Sequence, residues 1–112
     1  MATQSERIAQ LQRMTRRPST PGDLLADLIE RNGLTQATTA QHLGVGRKTV
    51  NELIGGKRGL TLDMAHRLGR FFGNGPTLWL NLKQQAEHWD ALHMDTAPYN
   101  EIVELPREKV AA

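Results

Sequence analysis

The sequence predicts an all-α domain of five short helices, carried between a basic arm and an acidic tail. Three observations predict it. Apolar residues recur at helical spacing in five consecutive stretches. Threonine, glycine or proline opens each stretch, and glycine closes most of them. The connections between stretches run to only about 2–6 residues, a length that suits packed helices. No internal repeat is present.

Residues 1–19 are polar and Arg-rich, with Ile8, Leu11 and Met14 spaced for a short amphipathic helix. Arg16-Arg17-Pro18-Ser19-Thr20-Pro21 then reads as a linker, because two nearby prolines break a helix. Thr20 caps the first body helix, Pro21 occupies its first position and Asp23 faces its positive end. Leu24, Leu25, Leu28 and Ile29 form its apolar face, and Gly33 ends it. Thr35 caps a second helix, Gln36–Leu43, which Gly44 stops. After Val45, Gly46 opens a third, with Val50, Leu53 and Ile54 inward and Gly55-Gly56 closing it. Thr61 caps a fourth, with Asp63 in its first turn and Met64, Ala65, Leu68, Phe71 and Phe72 inward.

Gly73-Asn74-Gly75 is a break, and Pro76 starts a fifth helix carrying Leu78, Trp79, Leu82, Ala86 and Trp89. Beyond it the chain is polar and acidic around Ile102, Val103 and Leu105, a short strand or a docking segment limited by Pro106. The expected division is a basic arm over residues 1–19, a helical domain over 20–92 and an acidic tail over 93–112.

Composition narrows the function. The 112 residues contain no cysteine, which excludes disulfides, thiol catalysis and cysteine-ligated zinc. The only serines are Ser5 and Ser19, leaving little for a serine nucleophile. No phosphate-cradling glycine loop is present, so an enzyme is not expected. No apolar run approaches the roughly 18–20 residues that cross a bilayer, and the N-terminus lacks a signal's apolar core. A soluble, intracellular binding protein is the expectation. Net charge is only +2, but it is unevenly placed. Residues 1–84 carry 12 basic against 6 acidic side chains, whereas residues 85–112 carry 2 against 6. Such a split suggests one surface for polyanions and another for a different partner.

Residues 36–56, QATTAQHLGVGRKTVNELIGG, hold the most informative pattern. Ala40 lies four residues before Gly44, and Val50 lies six after it. Ala40 must be small where the third helix crosses it. Gly44 gives the sharp turn its backbone freedom, and Val45 and Val50 plug the wedge. This is a helix-turn-helix, which holds its second helix clear of the body and able to enter a major groove.

Around that motif, PGDLL opens the first body helix and GKRGLT joins the third to the fourth. DMAHRLGRFFG forms the fourth, and PTLWLNL begins the fifth. In this order, over residues 21–91, the chain resembles the HigA-type antitoxins, a branch of the Cro/CI-like (XRE) helix-turn-helix family. The resemblance implies a dimeric, non-enzymatic antitoxin that binds palindromic double-stranded operator DNA and represses its own operon. It also implies neutralisation of a HigB-type toxin, an mRNA-cleaving ribonuclease of the RelE-like class, in the bacterial cytoplasm at the nucleoid. No cofactor is implied. Three positions depart from the family pattern: Gly46 where serine is frequent, Gly55-Gly56 for Asn-Gly, and Lys83 for glutamine.

With Val50, Leu53 and Ile54 inward, Arg47, Lys48, Thr49, Asn51 and Glu52 face outward. Arg47 and Lys48 suit guanine O6/N7, Asn51 suits adenine N6/N7, and the Thr49 methyl suits thymine. Either cation can instead bind phosphate, which positions without reading sequence, and for Lys48 the two roles are evenly balanced. Gln36 at a helix start suits phosphate, as do Lys57 and Arg58. With Gly46, these make up the candidate DNA-contacting set. One such domain spans too few base pairs for selectivity, so a homodimer with recognition helices about 34 Å apart is expected. Leu78, Leu80 and Trp89 are its candidate interface, with Trp79 in the core.

Other groups carry less. His88, Asp90, His93 and Asp95 are misplaced for a shared metal on one helix, so no metal is expected. His42 and His66 read as surface or packing residues. Asp23, Asp27 and Glu30 form an acidic stripe, either solvated or facing a basic toxin. Arg7, Arg13, Arg16 and Arg17 could enter a minor groove, fold on the toxin or remain a disordered lead. The acidic segment 87–108 competes with that arm as the toxin-facing element. A stand-alone repressor of the same family, or an interaction adaptor that binds no DNA, are the rival readings.

Overall fold

Three threonines set where three of the five body helices begin. In the computed structural model, which describes residues 3–13 and 16–110, Thr20 accepts from the Asp23 N–H at 3.1 Å while Asp23 Oδ2 accepts from the Thr20 N–H at 2.9 Å. Thr35 and Thr38 exchange the same pair of bonds, and Thr61 accepts from the Met64 N–H. Each cap satisfies a donor that the helix leaves open at its start, an effect of about 1 kcal/mol. The helices are α1 (Gln4–Arg13), α2 (Pro21–Arg31), α3 (Gln36–Leu43), α4 (Arg47–Ile54), α5 (Leu62–Phe72) and α6 (Gly75–His93). A 3-10 turn (Ala97–Tyr99) and a short α7 (Arg107–Val110) follow. The body is thus the expected five helices, α2 to α6, and the described residues contain no strand.

The core is built from one face of each body helix. Leu25, Val50, Ala65, Leu68 and Trp79 are fully buried, with Ile29, Ala40, Leu43, Leu53, Leu60 and Met64 around them. Complete burial of a Leu or Val side chain stabilises by about 1.5–3 kcal/mol. Trp79 lies in the core as expected, and its indole N–H donates to Asn74 Oδ1 at 2.8 Å. That bond spares a buried donor from going unpaired. Phe71 and Phe72 are half-buried rather than fully inward. Phe71 stacks on His42 at 5.0 Å, and Phe72 lies 5.9 Å from Trp79, so rings link α3, α5 and α6.

Outside the body, α1 is the short helix expected in the arm, and what the sequence does not announce is where it docks. α1 packs on α6, and Arg17 makes a bidentate pair with Asp90 at 2.7 Å for both bonds. Arg17 is therefore held against the last body helix rather than extended toward a groove. The side chain of Leu11 and all of Met14 lie outside the described residues. In the tail, Ile102, Val103 and Leu105 are exposed and form no strand.

Candidate nucleic-acid interface

The turn between α3 and α4 is built as the spacing requires. Gly44 adopts φ 72°, a left-handed conformation that other residues tolerate poorly, and its N–H returns to the Ala40 and Gln41 carbonyls. The Val45 N–H also reaches the Ala40 carbonyl, at 3.0 Å. Arg67 on α5 braces this corner. It donates through Nη1 to the Leu43 carbonyl at 2.8 Å and through Nε to Asp63 at 2.7 Å. One side chain thus satisfies a carbonyl left open at the end of α3 and ties the turn to the body.

Behind α4, Val50 and Leu53 are buried and Ile54 is half-buried against the core. Gly22 of α2 lies so near the α4 backbone that a Cβ there would overlap the Leu53 carbonyl. A glycine therefore sets how closely α2 supports the outward helix. Lys83 of α6 donates to the Leu60 carbonyl at 3.0 Å and holds the end of the loop that leaves α4.

The outward side is polar. Arg47, Lys48 and Asn51 are exposed, Thr49 and Glu52 are half-buried, and Lys57 and Arg58 are exposed just beyond the helix. Gly46 is the N-cap of α4 and, lacking a side chain, offers it no capping bond. Asn51 Nδ2 donates to Gln36 Oε1 at 3.2 Å, which brings the start of α3 and the middle of α4 onto one surface. Glu52 accepts from Arg58 Nε at 3.2 Å and lies 3.7 Å from Lys48 Nζ. Gln36 and Asn51 are thus linked between α3 and α4, and Lys48, Glu52 and Arg58 between α4 and the following loop.

Sequence reasoning named neither Arg67 nor Lys83 as a support, and it placed Glu52 outward without its partners. The i, i+4 spacing of Lys48 with Glu52 and of Asp63 with Arg67 signals two of these pairs. The contacts to Leu43 and Leu60 join residues 24 and 23 apart, beyond the reach of local spacing. The ungrouped polar residues also find uses, since Asp90 pairs with Arg17 and His93 stacks on Trp89 at 4.1 Å. Among the described residues no three metal-ligating side chains gather, and no helix is long and apolar enough to cross a membrane.

Comparison with known proteins agrees with this geometry. Residues 25–80 match the helix-turn-helix family. Antitoxin HigA-1 of Vibrio cholerae is 36% identical over 81 residues, covering 71% of this chain and 76% of that protein. The structure of Pseudomonas aeruginosa antitoxin HigA with its higBA promoter superposes with a TM-score of 0.69 at 31% identity, covering 79% of this chain and 97% of the other. A second Pseudomonas aeruginosa protein, solved in complex with its operator DNA, gives 0.64 at 36% identity over 67% of this chain and 84% of its own. Caps, turn, outward helix and these likenesses coincide, and the chain belongs to the XRE-type helix-turn-helix family that includes the HigA antitoxins.

Proposed function

We propose that the chain is a dimeric antitoxin that binds palindromic operator DNA, represses its own operon and neutralises a HigB-type, RelE-like ribonuclease toxin by direct binding. The observation that carries the DNA half is the Gln36–Asn51 bond, because it orients the Asn51 amide on the exposed side of α4, which suits the base-reading role proposed for it. In this reading Arg47, Lys48, Thr49 and Asn51 face base edges. Gln36, Lys57 and Arg58 hold phosphates, and the Gly46 backbone sits beside them at the start of α4. Binding to operator DNA by two solved relatives supports it.

The functional division follows the sequence: a basic arm over residues 1–19, the DNA-binding domain over 20–92 and an acidic tail over 93–112. Leu78, Leu80 and Trp89 of α6 supply the dimer contact. The toxin half is supported by the antitoxin relatives and by the tail's acidity, which suits a basic RNA-binding enzyme. The protein works in the bacterial cytoplasm, at the nucleoid.

Two measurements test this. Selection from a random duplex pool should yield a palindromic site. Its affinity should fall with salt by about 0.9 log units per log unit for each phosphate neutralised. Co-expression with the neighbouring reading frame should co-purify a small basic protein and relieve its toxicity. Failure to retain any duplex at low salt overturns the DNA half, and a neighbour that neither binds nor harms the cell overturns the toxin half.

A further inference from the structure

Glu52 is the one acidic side chain in the candidate DNA-contacting set, and its surroundings are specific. The side chain is 22% exposed, whereas Lys48 is 85% and Arg58 44% exposed. Its carboxylate is 3.2 Å from Arg58 Nε and 3.7 Å from Lys48 Nζ. Its main-chain carbonyl independently accepts the N–H groups of Lys57 at 2.9 Å and Arg58 at 3.3 Å. The backbone of Glu52 therefore shapes the basic loop, while its side chain acts on the charges.

These two actions have different consequences for DNA. Binding to arbitrary sequence rests almost wholly on cations meeting phosphates. A carboxylate beside two of those cations weakens their pull on any phosphate. The same carboxylate engages Arg58 through Nε, which leaves the two Nη groups as an oriented fork. A phosphate at the right place meets a side chain already ordered, and that saving offsets the repulsion. In any other register only the repulsion remains.

Resting on the DNA-binding reading above, we propose that Glu52 is a specificity-determining positioning residue, whose carboxylate suppresses generic phosphate binding while presenting Arg58 to one backbone register. It raises the ratio of operator to non-operator affinity rather than reading a base.

The test uses the full chain, the duplex selected by the parent protein and a scrambled duplex of equal length. Glu52→Gln keeps the side chain's length and the backbone bonds but removes the charge. Affinity for the scrambled duplex should rise about tenfold, with a salt dependence steeper by about 0.9 for each additional phosphate neutralised. Affinity for the selected duplex should change by less than about threefold, because lost ordering offsets lost repulsion. Glu52→Asp, which keeps the charge, should restore much of the ratio. Unchanged thermal unfolding of Glu52→Gln would show that the fold is intact. Equal tightening on both duplexes overturns the proposal, leaving plain charge repulsion. A loss confined to the selected duplex also overturns it, in favour of base contact. If the parent binds neither duplex, the DNA-binding reading itself falls; if the parent discriminates and Glu52→Gln discriminates equally, only the role of Glu52 falls.

Discussion

Asn51 of α4 donates its side-chain N–H to Gln36 Oε1 of α3 across 3.2 Å, so the two amides are oriented by one another. That bond leaves the Gln36 Nε2 donors open, which the proposed function assigns to a phosphate, and leaves Asn51 Oδ1 and one N–H open, which it assigns to the edge of an adenine. Asn51→Ala should cost about 1–3 kcal/mol of operator affinity and relax preference at one base pair. Gln36→Ala should weaken binding to all sequences and also blunt that preference. Fluorescence anisotropy on the four variants of a double-mutant cycle checks this, and strictly additive losses would show that the pair acts independently. Arg47→Ala with Asn51→Ala should abolish operator binding while leaving toxin capture intact.

Two glycines near α4 should respond in opposite directions. A Cβ on Gly22 would overlap the Leu53 carbonyl, and backbone cannot yield as a flexible side chain can. Gly22→Ala should destabilise by about 1–3 kcal/mol, despite alanine's better helix propensity, because α2 and α4 are forced apart. Gly46 has open space around its missing Cβ and already holds the extended conformation of an N-cap. Gly46→Ser should add a few tenths of a kcal/mol through a capping bond and tighten DNA binding through a new hydroxyl contact. Thermal melts and operator titrations of both variants give the signs, and a stabilised Gly22→Ala would contradict the close approach.

The Arg17–Asp90 pair makes the docking of the arm sensitive to acid. Its hydrogen bond from Arg17 is the main influence that lowers the Asp90 carboxyl below its ordinary value of 3.8, against a smaller opposing effect of burial. An unfolded chain therefore holds more protons than the folded one just below 3.8, so stability is lost as pH falls through that window. Both side chains are nearly half exposed, at 44% and 47%, so the coupling should be at most about 1 kcal/mol and should shrink in high salt. A cycle of Arg17→Ala and Asp90→Asn, followed by thermal unfolding, should give that coupling near neutral pH and none once Asp90 is protonated. A coupling that survives acid would mean that the contact does not depend on charge.

How much of this could be read from the chain depends on how far each contact reaches. Thr20, Thr35 and Thr61 act on N–H groups three residues away, and Gly44 acts on its own turn, so α2, α3, α4 and α5 were legible from local order. The outward face of α4 was legible too, because helical geometry follows once Val50 and Leu53 are inward. What lay hidden was the second role of charged residues. Arg17 belongs to an arm that the sequence leaves open to a groove, a toxin or disorder, but its partner is 73 residues away. The sequence marks Arg67 by no motif and Lys83 only as a departure from the family pattern, yet each closes a main-chain carbonyl on a distant loop or helix end. Long side chains with several donors can satisfy remote backbone groups, and nothing in their own neighbourhood in sequence announces the target.

The proposed dimer turns on which α6 residue can be changed without unfolding the monomer. Leu80 packs partly against the core, and Trp89 is half-buried with its ring stacked on His93. Charging either would disturb the protomer itself. Leu78 is different: it is 42% exposed and borders a groove with Leu24, Leu82, Asp23 and Asp27. In a twofold interface each copy presents the same patch, so an introduced carboxylate on either copy is buried against the partner without a counter-charge. Leu78→Asp should therefore cost the monomer only the modest like-charge repulsion from Asp23 and Asp27, while shifting sedimentation clearly toward the monomer. Losing the second half-site removes the gain from linked binding, a factor of about 10²–10⁴ in operator affinity, whereas single half-site contacts survive. A Leu78→Asp protein that still sediments as a dimer and binds the full operator normally would move the interface away from this end of α6.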